Sequence, residues 1–215
     1  MSILRLRIIM GIAAAAVLPL AGCVTPGSAT RFYILTPTLV ARPADTPRPT
    51  QAGGTAIAPR TIVIRDLRLP LYLDRPQIVS RDAGNHLEFS ELVQWGGPLR
   101  EDMTRVLVNN LGALLDGDRV IAAPYPASSP PDYRIEVDIL GFERQPDGRV
   151  ALNVQWWITK GRDGALHGAS KKIFEGAPPA GAATHDKLVA SMSALCADLA
   201  KAIALDLLPG GTGTP

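Results

Sequence analysis

The sequence is poor in the residues that build cross-links, metal sites and stacking surfaces. Among 215 residues it has 2 cysteines, 3 histidines and only 5% aromatic residues. So few aromatic side chains argue against a platform on which single-stranded nucleic acid stacks. The formal net charge is +2, from 22 basic and 20 acidic residues. This balance excludes the strongly basic surface that recognition of a phosphate backbone requires, so no nucleic-acid partner is expected.

Signatures of catalysis are also missing from the sequence. It contains no GxSxG, GxxxxGK[ST], GxGxxG, HExxH or CxxC motif. The histidines, His86, His167 and His185, stand apart from one another and from any cysteine, so neither a metal site nor a cofactor is expected. Glu136 and Asp138 share the polar side of a predicted strand, which we interpret as a solvated face.

The N-terminus has the plan of an export signal. Arg5 and Arg7 precede an apolar run at residues 8–18, which is too short to span a bilayer. The run ends in Leu-Ala-Gly-Cys at positions 20–23, which matches the bacterial lipobox. We therefore predict a lipoprotein signal peptide over residues 1–22, acylation (including palmitate) at Cys23 and a tether over residues 23–30. An ordinary signal peptide cut elsewhere, or an N-terminal hydrophobic anchor, remains the alternative.

Lipidation at Cys23 changes the meaning of the composition. Removal of residues 1–22 leaves 20 basic and 20 acidic residues, because Arg5 and Arg7 are lost. Several acyl chains on one residue anchor a protein stably to a membrane without spanning it. Val24 stands where lipoproteins kept at the inner membrane carry Asp, which favours the outer membrane and a periplasm-facing domain. Cys196 then has no disulfide partner, and we interpret it as a buried helix thiol.

Hydrophobic periodicity predicts a single α+β domain over residues 31–208. The mostly antiparallel or mixed sheet is expected to carry two long helices on one face. Predicted strands cover residues 31–36, 61–69, 76–81, 85–90, 119–122, 133–142, 150–158 and 171–175. Predicted helices cover residues 98–115 and 185–208, the second with Thr184 as its N-cap. Bulges are expected after Ile64 and at Gly141, a turn at residues 146–148, a Pro-rich excursion at residues 37–59 and a disordered tail at residues 209–215.

One segment between two predicted strands combines proline, apolar and charged residues. Residues 69–79 read LPLYLDRPQIV. Two interpretations stay open: a structured turn with Tyr72 packed inward, or a contact surface for a partner or subunit. Trp95, just before Gly96-Gly97-Pro98, is either a core residue or an interface anchor. The candidate interface residues are Tyr72, Leu73, Asp74, Arg75, Pro76, Arg81 and Trp95.

These residues carry a resemblance to a known family. The lipobox, the RFYIL strand, YLDRPQIV at residues 72–79, the following Arg81 and a Trp shortly before a long helix resemble the PqiC/YmbA family of ABC-transporter auxiliary lipoproteins. Gly96-Gly97 departs from the residues that are usual after the Trp. The Pro-rich excursion at residues 37–59 is longer than is typical.

The resemblance implies a function. It implies an outer-membrane lipoprotein that acts as a non-enzymatic adaptor and docks an MCE-domain protein of a Pqi-type system. It also implies that the protein forms ring-like homo-oligomers. Such a system supports envelope integrity through transport of lipids or other hydrophobic molecules. Two other functions remain alternatives: a different outer-membrane assembly or cell-wall-associated lipoprotein, and an anchored periplasmic hydrolase, which requires converging titratable groups in a pocket.

Overall fold

The computed structural model describes residues 29–39, 58–84, 86–126, 129–177 and 185–208. The predicted signal peptide, Cys23, most of the tether and of the Pro-rich excursion, Thr184 and the 209–215 tail lie outside these residues. In chain order the elements are β1 (Arg31–Tyr33), β2 (Thr61–Arg68), β3 (Gln77–Arg81), β4 (Leu87–Trp95), α1 (Leu99–Leu114), β5 (Arg119–Ala122), β6 (Tyr133–Arg144), β7 (Val150–Lys160), β8 (Leu166–Gly176) and α2 (His185–Asp206).

The strands form one mixed sheet with β6 at its centre. One edge of β6 pairs antiparallel with β7, which in turn pairs antiparallel with β8. The other edge pairs with two strands in succession. β2 lies parallel to the first half of β6, and β3 meets the end of β6 at Ser80 and Arg144. β5 extends the sheet beyond β2, while β4 and then β1 extend it beyond β3. The loop between β2 and β3 therefore leaves the β6 edge and returns to it.

The core lies between one face of this sheet and the two helices. Alternate residues of β7, from Val150 to Ile158, are almost fully buried on that face. α1 packs on β2 and β5, α2 packs on β7 and β8, and the helices contact each other. The predicted α+β architecture, with both helices on one face, is confirmed. α2 is long and apolar enough to cross a membrane, but most of its apolar side chains belong to this core. We call the opposite side of the sheet the open face.

Most predicted elements are confirmed, and the differences lie at exposed strands. The bulges fall between Ile64 and Asp66 and between Ile139 and Gly141, and Gly148 turns the β6–β7 hairpin with a φ of 86°. Two strands are longer than expected: β4 continues to Trp95, and β8 begins at Leu166. Both pass through stretches in which exposed residues interrupt the apolar alternation, so the period-2 signal is weak there.

The chain leaves the sheet earlier than predicted after β1. The sequence pattern predicts a strand to residue 36, whereas β1 ends at Tyr33. The Leu35 N–H donates to the Asp102 carboxylate, and the Leu35 C=O accepts a 2.7 Å hydrogen bond from Arg105. Because side chains of α1 take the backbone groups of Leu35, those groups cannot pair with a strand.

Residues 34–39, which we call the strap, cross both helices. The Thr36 N–H donates to Ser193 Oγ of α2 at 3.1 Å, and the Leu39 N–H donates to Asn110 Oδ1 of α1 at 3.2 Å. Asn110 and Ser193 are buried polar residues. The strap gives these side chains hydrogen-bond partners in the apolar core, which burial of a polar group requires.

Candidate functional site

The loop between β2 and β3, residues 69–76, is folded by two tight turns. The Leu73 N–H donates to the Pro70 C=O at 2.9 Å, and the Asp74 N–H donates to the Leu71 C=O at 3.2 Å. At the end of the loop, the Pro76 C=O accepts a 2.7 Å hydrogen bond from the Trp95 N–H. Prolines suit such turns because they fix φ and need no hydrogen-bond acceptor. The segment is thus an ordered structure joined to β4.

Two of the predicted interface residues hold the loop from inside. Leu73 and Trp95 are 2% and 5% exposed and belong to the hydrophobic core. Trp95 also pairs with Tyr33 of β1. These side chains set the position of the loop, and the surface it presents is made by its other residues.

A buried carboxylate fastens the loop to the central strand. Glu143 of β6 is 3% exposed. Its Oε2 accepts a 2.9 Å hydrogen bond from the Tyr72 hydroxyl. Its Oε1 accepts hydrogen bonds from Arg81 Nε and Nη2 at 3.1 and 2.7 Å. We call Tyr72, Arg81 and Glu143 the loop latch.

In the loop latch, the Glu143 carboxylate forms an ion pair with Arg81 and also accepts a hydrogen bond from Tyr72. Burial, together with the Glu143 carboxylate, raises the pKa of the Tyr72 hydroxyl, and the hydrogen bond to Glu143 raises the pKa of Arg81. Both shifts keep the two donors protonated. Three hydrogen bonds from two side chains engage both oxygens of the carboxylate, so the latch stabilises the position of the loop.

The bulge at Gly141 makes room for the loop latch. A Cβ placed on Gly141 would lie 3.3 Å from Glu143 Oε2 and 3.4 Å from the Tyr72 hydroxyl, closer than most side chains tolerate. Sequence reasoning found the bulge, Tyr72 and Arg81, but it missed Glu143. The available signal was an acidic residue two positions after the Gly141 bulge, beyond the point where the apolar alternation of the strand changes sides.

The remaining loop residues are exposed. Asp74 forms a 3.2 Å ion pair with Arg100 of α1. The guanidinium of Arg75 lies 4.1 Å from the ring centroid of Phe89, a cation–π contact. Leu71 is 88% exposed. Arg75 is therefore held in place on the surface, with an apolar side chain four positions earlier.

A shallow groove lies beside the loop. It encloses about 390 Å³ and is lined by Phe32 of β1, by Asp74–Pro76 of the loop and by residues 94–99. The side chain of Ile34 covers Gly96: a Cβ on Gly96 would lie 3.1 Å from Ile34 Cγ2. A larger residue at position 96 would therefore have to displace the side chain of Ile34.

Histidine and cysteine side chains do not converge in the described ranges. No three His, Cys, Asp or Glu side chains in the described part of the chain are grouped to hold a metal ion. His167 contacts the ring of Tyr133, with 4.9 Å between centroids. Cys196 is a buried free thiol, and burial raises its pKa to about 12. The prediction of a buried helix thiol is confirmed.

Comparison with protein families shows which family the chain belongs to. Residues 41–204 match the family described as the ABC-type transport auxiliary lipoprotein component. The chain belongs to this family. The resemblance predicted from YLDRPQIV, Arg81 and Trp95 is thereby confirmed, and the family description names a transport component.

Solved structures agree with the fold. A crystal structure of an uncharacterized protein aligns with a TM-score of 0.62 and 21% identity, covering 71% of this chain and 95% of that one. A Xanthomonas campestris protein of the DUF330 family aligns with a TM-score of 0.62 and 14% identity, covering 81% of this chain and 93% of that one. A search of curated proteins finds no match.

The seven predicted interface residues thus fall into three groups. Leu73 and Trp95 are buried, Tyr72 and Arg81 belong to the loop latch, and Asp74–Pro76 face solvent. All seven lie in the loop between β2 and β3 or in β3 and β4, the two strands that follow it. That they contact a partner stays a prediction.

Proposed function

We propose that the chain is an outer-membrane lipoprotein that acts as a non-enzymatic adaptor of an MCE-type transport system for lipids or other hydrophobic molecules. The match of residues 41–204 to a transport auxiliary lipoprotein family carries this proposal. The lipobox at residues 20–23 supports anchoring through Cys23, and Val24 supports the outer membrane and a periplasm-facing domain.

We propose that the MCE-domain partner docks on the exposed part of the loop. Leu71 and Arg75 combine an apolar side chain with a fixed cation, a combination that recurs at protein interfaces. The buried side chains of Leu73 and Trp95 and the loop latch hold this surface in one conformation. A preorganised loop loses little conformational entropy on binding. In a ring-like homo-oligomer, repeated copies of this surface would surround a tubular partner.

A non-enzymatic role agrees with the use of the titratable groups in the loop latch. The most buried carboxylate, Glu143, has its oxygens occupied by Tyr72 and Arg81. Two carboxylates of the open face are likewise paired: Glu136 with Arg65 and Asp138 with Arg68. These pairs stabilise the surface and leave the loop to act by binding.

Affinity capture from detergent-solubilised envelopes tests the proposal. We expect the wild-type protein to retain an MCE-domain protein of the same organism, and Arg75→Glu to lose it because the substitution reverses the charge of the docking surface. Arg162→Glu is the matched control, since Arg162 is exposed on the β7–β8 turn. Thermal unfolding of each variant shows whether the fold is intact.

Two results would contradict the proposal. An MCE-domain protein missing from the wild-type capture removes the transport system as partner. Equal retention by Arg75→Glu and wild type removes the loop as docking surface. The anchor is tested separately: we expect the Cys23→Ala variant to be lost from the outer-membrane fraction while its domain still folds.

A further inference from the structure

An apolar surface borders the β1 strand at the point where the tether meets the domain. Phe32 and Ile34 are 65% and 59% exposed. Pro76 and Pro98 are exposed on the same groove as Phe32. We call Phe32, Ile34, Pro76 and Pro98 the β1 patch. Large apolar side chains that stay exposed side by side mark an interaction surface.

Among the described residues, the β1 patch is the exposed apolar surface nearest to the anchor along the chain. Phe32 follows Cys23 by nine positions, and nine extended residue steps reach at most about 32 Å. In the described residues the next exposed large apolar side chain, Leu71, comes 37 positions after Ile34. A lipidated Cys23 therefore keeps Phe32 within about 32 Å of the lipid surface, close enough for the β1 patch to reach it.

The charges around the β1 patch suit a membrane surface. Arg31 is exposed beside Phe32 and has no ion pair among the described residues, while Arg75 at the groove contacts Phe89 and no carboxylate. Asp74 is paired with Arg100. Cations next to an aromatic and an aliphatic side chain are the composition of segments that lie in the headgroup region of anionic bilayers.

We propose that the domain itself contacts the membrane, with Phe32 and Ile34 entering the headgroup region of the bilayer that holds the Cys23 acyl chains. This inference rests on the proposed lipidation of Cys23 and is independent of the MCE-domain partner. It places the adjoining loop at the lipid surface. The end of a partner docked on Arg75 would then lie next to the bilayer, where hydrophobic cargo has to pass between the partner and the membrane.

Site-directed fluorescence on the acylated protein tests the contact. Phe32→Cys and Ile34→Cys are labelled with an environment-sensitive dye, and the protein is reconstituted in phosphatidylethanolamine–phosphatidylglycerol vesicles. Leu166→Cys is the matched control, because Leu166 is 64% exposed on β8. Cys196 is buried and Cys23 is acylated, so neither competes for the dye. Thermal unfolding checks the fold of each labelled variant.

We expect a blue shift at positions 32 and 34 and severalfold quenching by lipids spin-labelled near the headgroup. Quenching should be weaker with lipids spin-labelled at the acyl-chain end, and position 166 should show neither effect. Three results overturn the inference: probes as water-exposed as the control, a blue shift without lipid quenching, which indicates cover by protein, or a chain that is not acylated at Cys23. The first two leave the lipid anchor intact, so they are distinguishable from failure of the proposed function.

Discussion

The loop latch predicts a specific loss of stability when one oxygen atom is removed. Tyr72→Phe keeps the half-buried ring and deletes the hydroxyl that donates to Glu143 at 2.9 Å. A hydrogen bond to a charged group contributes about 1.5–3 kcal/mol. Because Arg81 still pairs with Glu143 and is itself about one-third exposed, we expect the lower end, about 1.5 kcal/mol. For a domain of this size that lowers Tm by about 3–6 °C.

A double-mutant cycle assigns this loss to the hydrogen bond. Tyr72→Phe, Glu143→Gln and the double variant are compared by urea and thermal unfolding, and a coupling free energy of about 1 kcal/mol or more is expected for groups in contact. Tyr125→Phe is the control, since the hydroxyl of Tyr125 has no partner among the described residues. Coupling near zero, or wild-type stability of Tyr72→Phe, would refute the loop latch.

Alkaline pH gives an independent test of the same contact. The pKa of Tyr72 is raised above its ordinary value of 10.0 in the folded protein. The unfolded chain loses this proton near pH 10 while the folded chain keeps it, so stability falls as pH rises above 10. Tyr72→Phe lacks this proton. The difference in unfolding free energy between wild type and variant should therefore shrink above pH 10.

Two further predictions concern the buried thiol of Cys196 and the glycines at positions 161 and 112. Burial raises the pKa of Cys196 from 9.0 to about 12, so wild type should lose about 1.4 kcal/mol of stability per pH unit in that interval, a slope that Cys196→Ala lacks in pH-dependent urea unfolding. A Cβ on Gly161 would lie 1.6 Å from the Pro131 carbonyl oxygen, so Gly161→Ala should destabilise by at least about 1–3 kcal/mol. In contrast, Gly112→Ala in α1 has open space and should stabilise by about 0.5–1 kcal/mol; equal melting of the two variants would contradict both expectations.

The predictable parts of the fold are those in which local pattern and burial coincide. β7 and the part of β6 before its bulge alternate because one face of each meets the helices, and the stripes of α1 and α2 repeat at helical spacing for the same reason. The bulge at Gly141 was visible because the apolar parity flips there. These signals extend over a few neighbouring residues, so a single sequence shows them.

The parts that were not predicted depend on distant partners. Tyr72 and Glu143 are 71 positions apart, and Thr36 and Ser193 are 157 apart. No local pattern specifies which hydroxyl meets which carboxylate. The sequence pattern predicts that the strand continues to residue 36, because apolar residues such as Ile34 favour strands. In the structure, Asp102 and Arg105 bind the backbone groups of Leu35 instead. The family resemblance located Tyr72 and Arg81 without showing that they face inward.

The strap also determines how the domain bears mechanical load. A force applied at a lipid anchor enters the domain at Arg31. There, β1 is held by its parallel pairing with β4. Behind this pairing, the strap is fastened to α1 and α2 through Asp102, Arg105, Asn110 and Ser193. Tension applied at the N-terminal end of the domain is thus shared between the sheet and the helical layer, and Leu35 of the strap passes it directly to the apolar core.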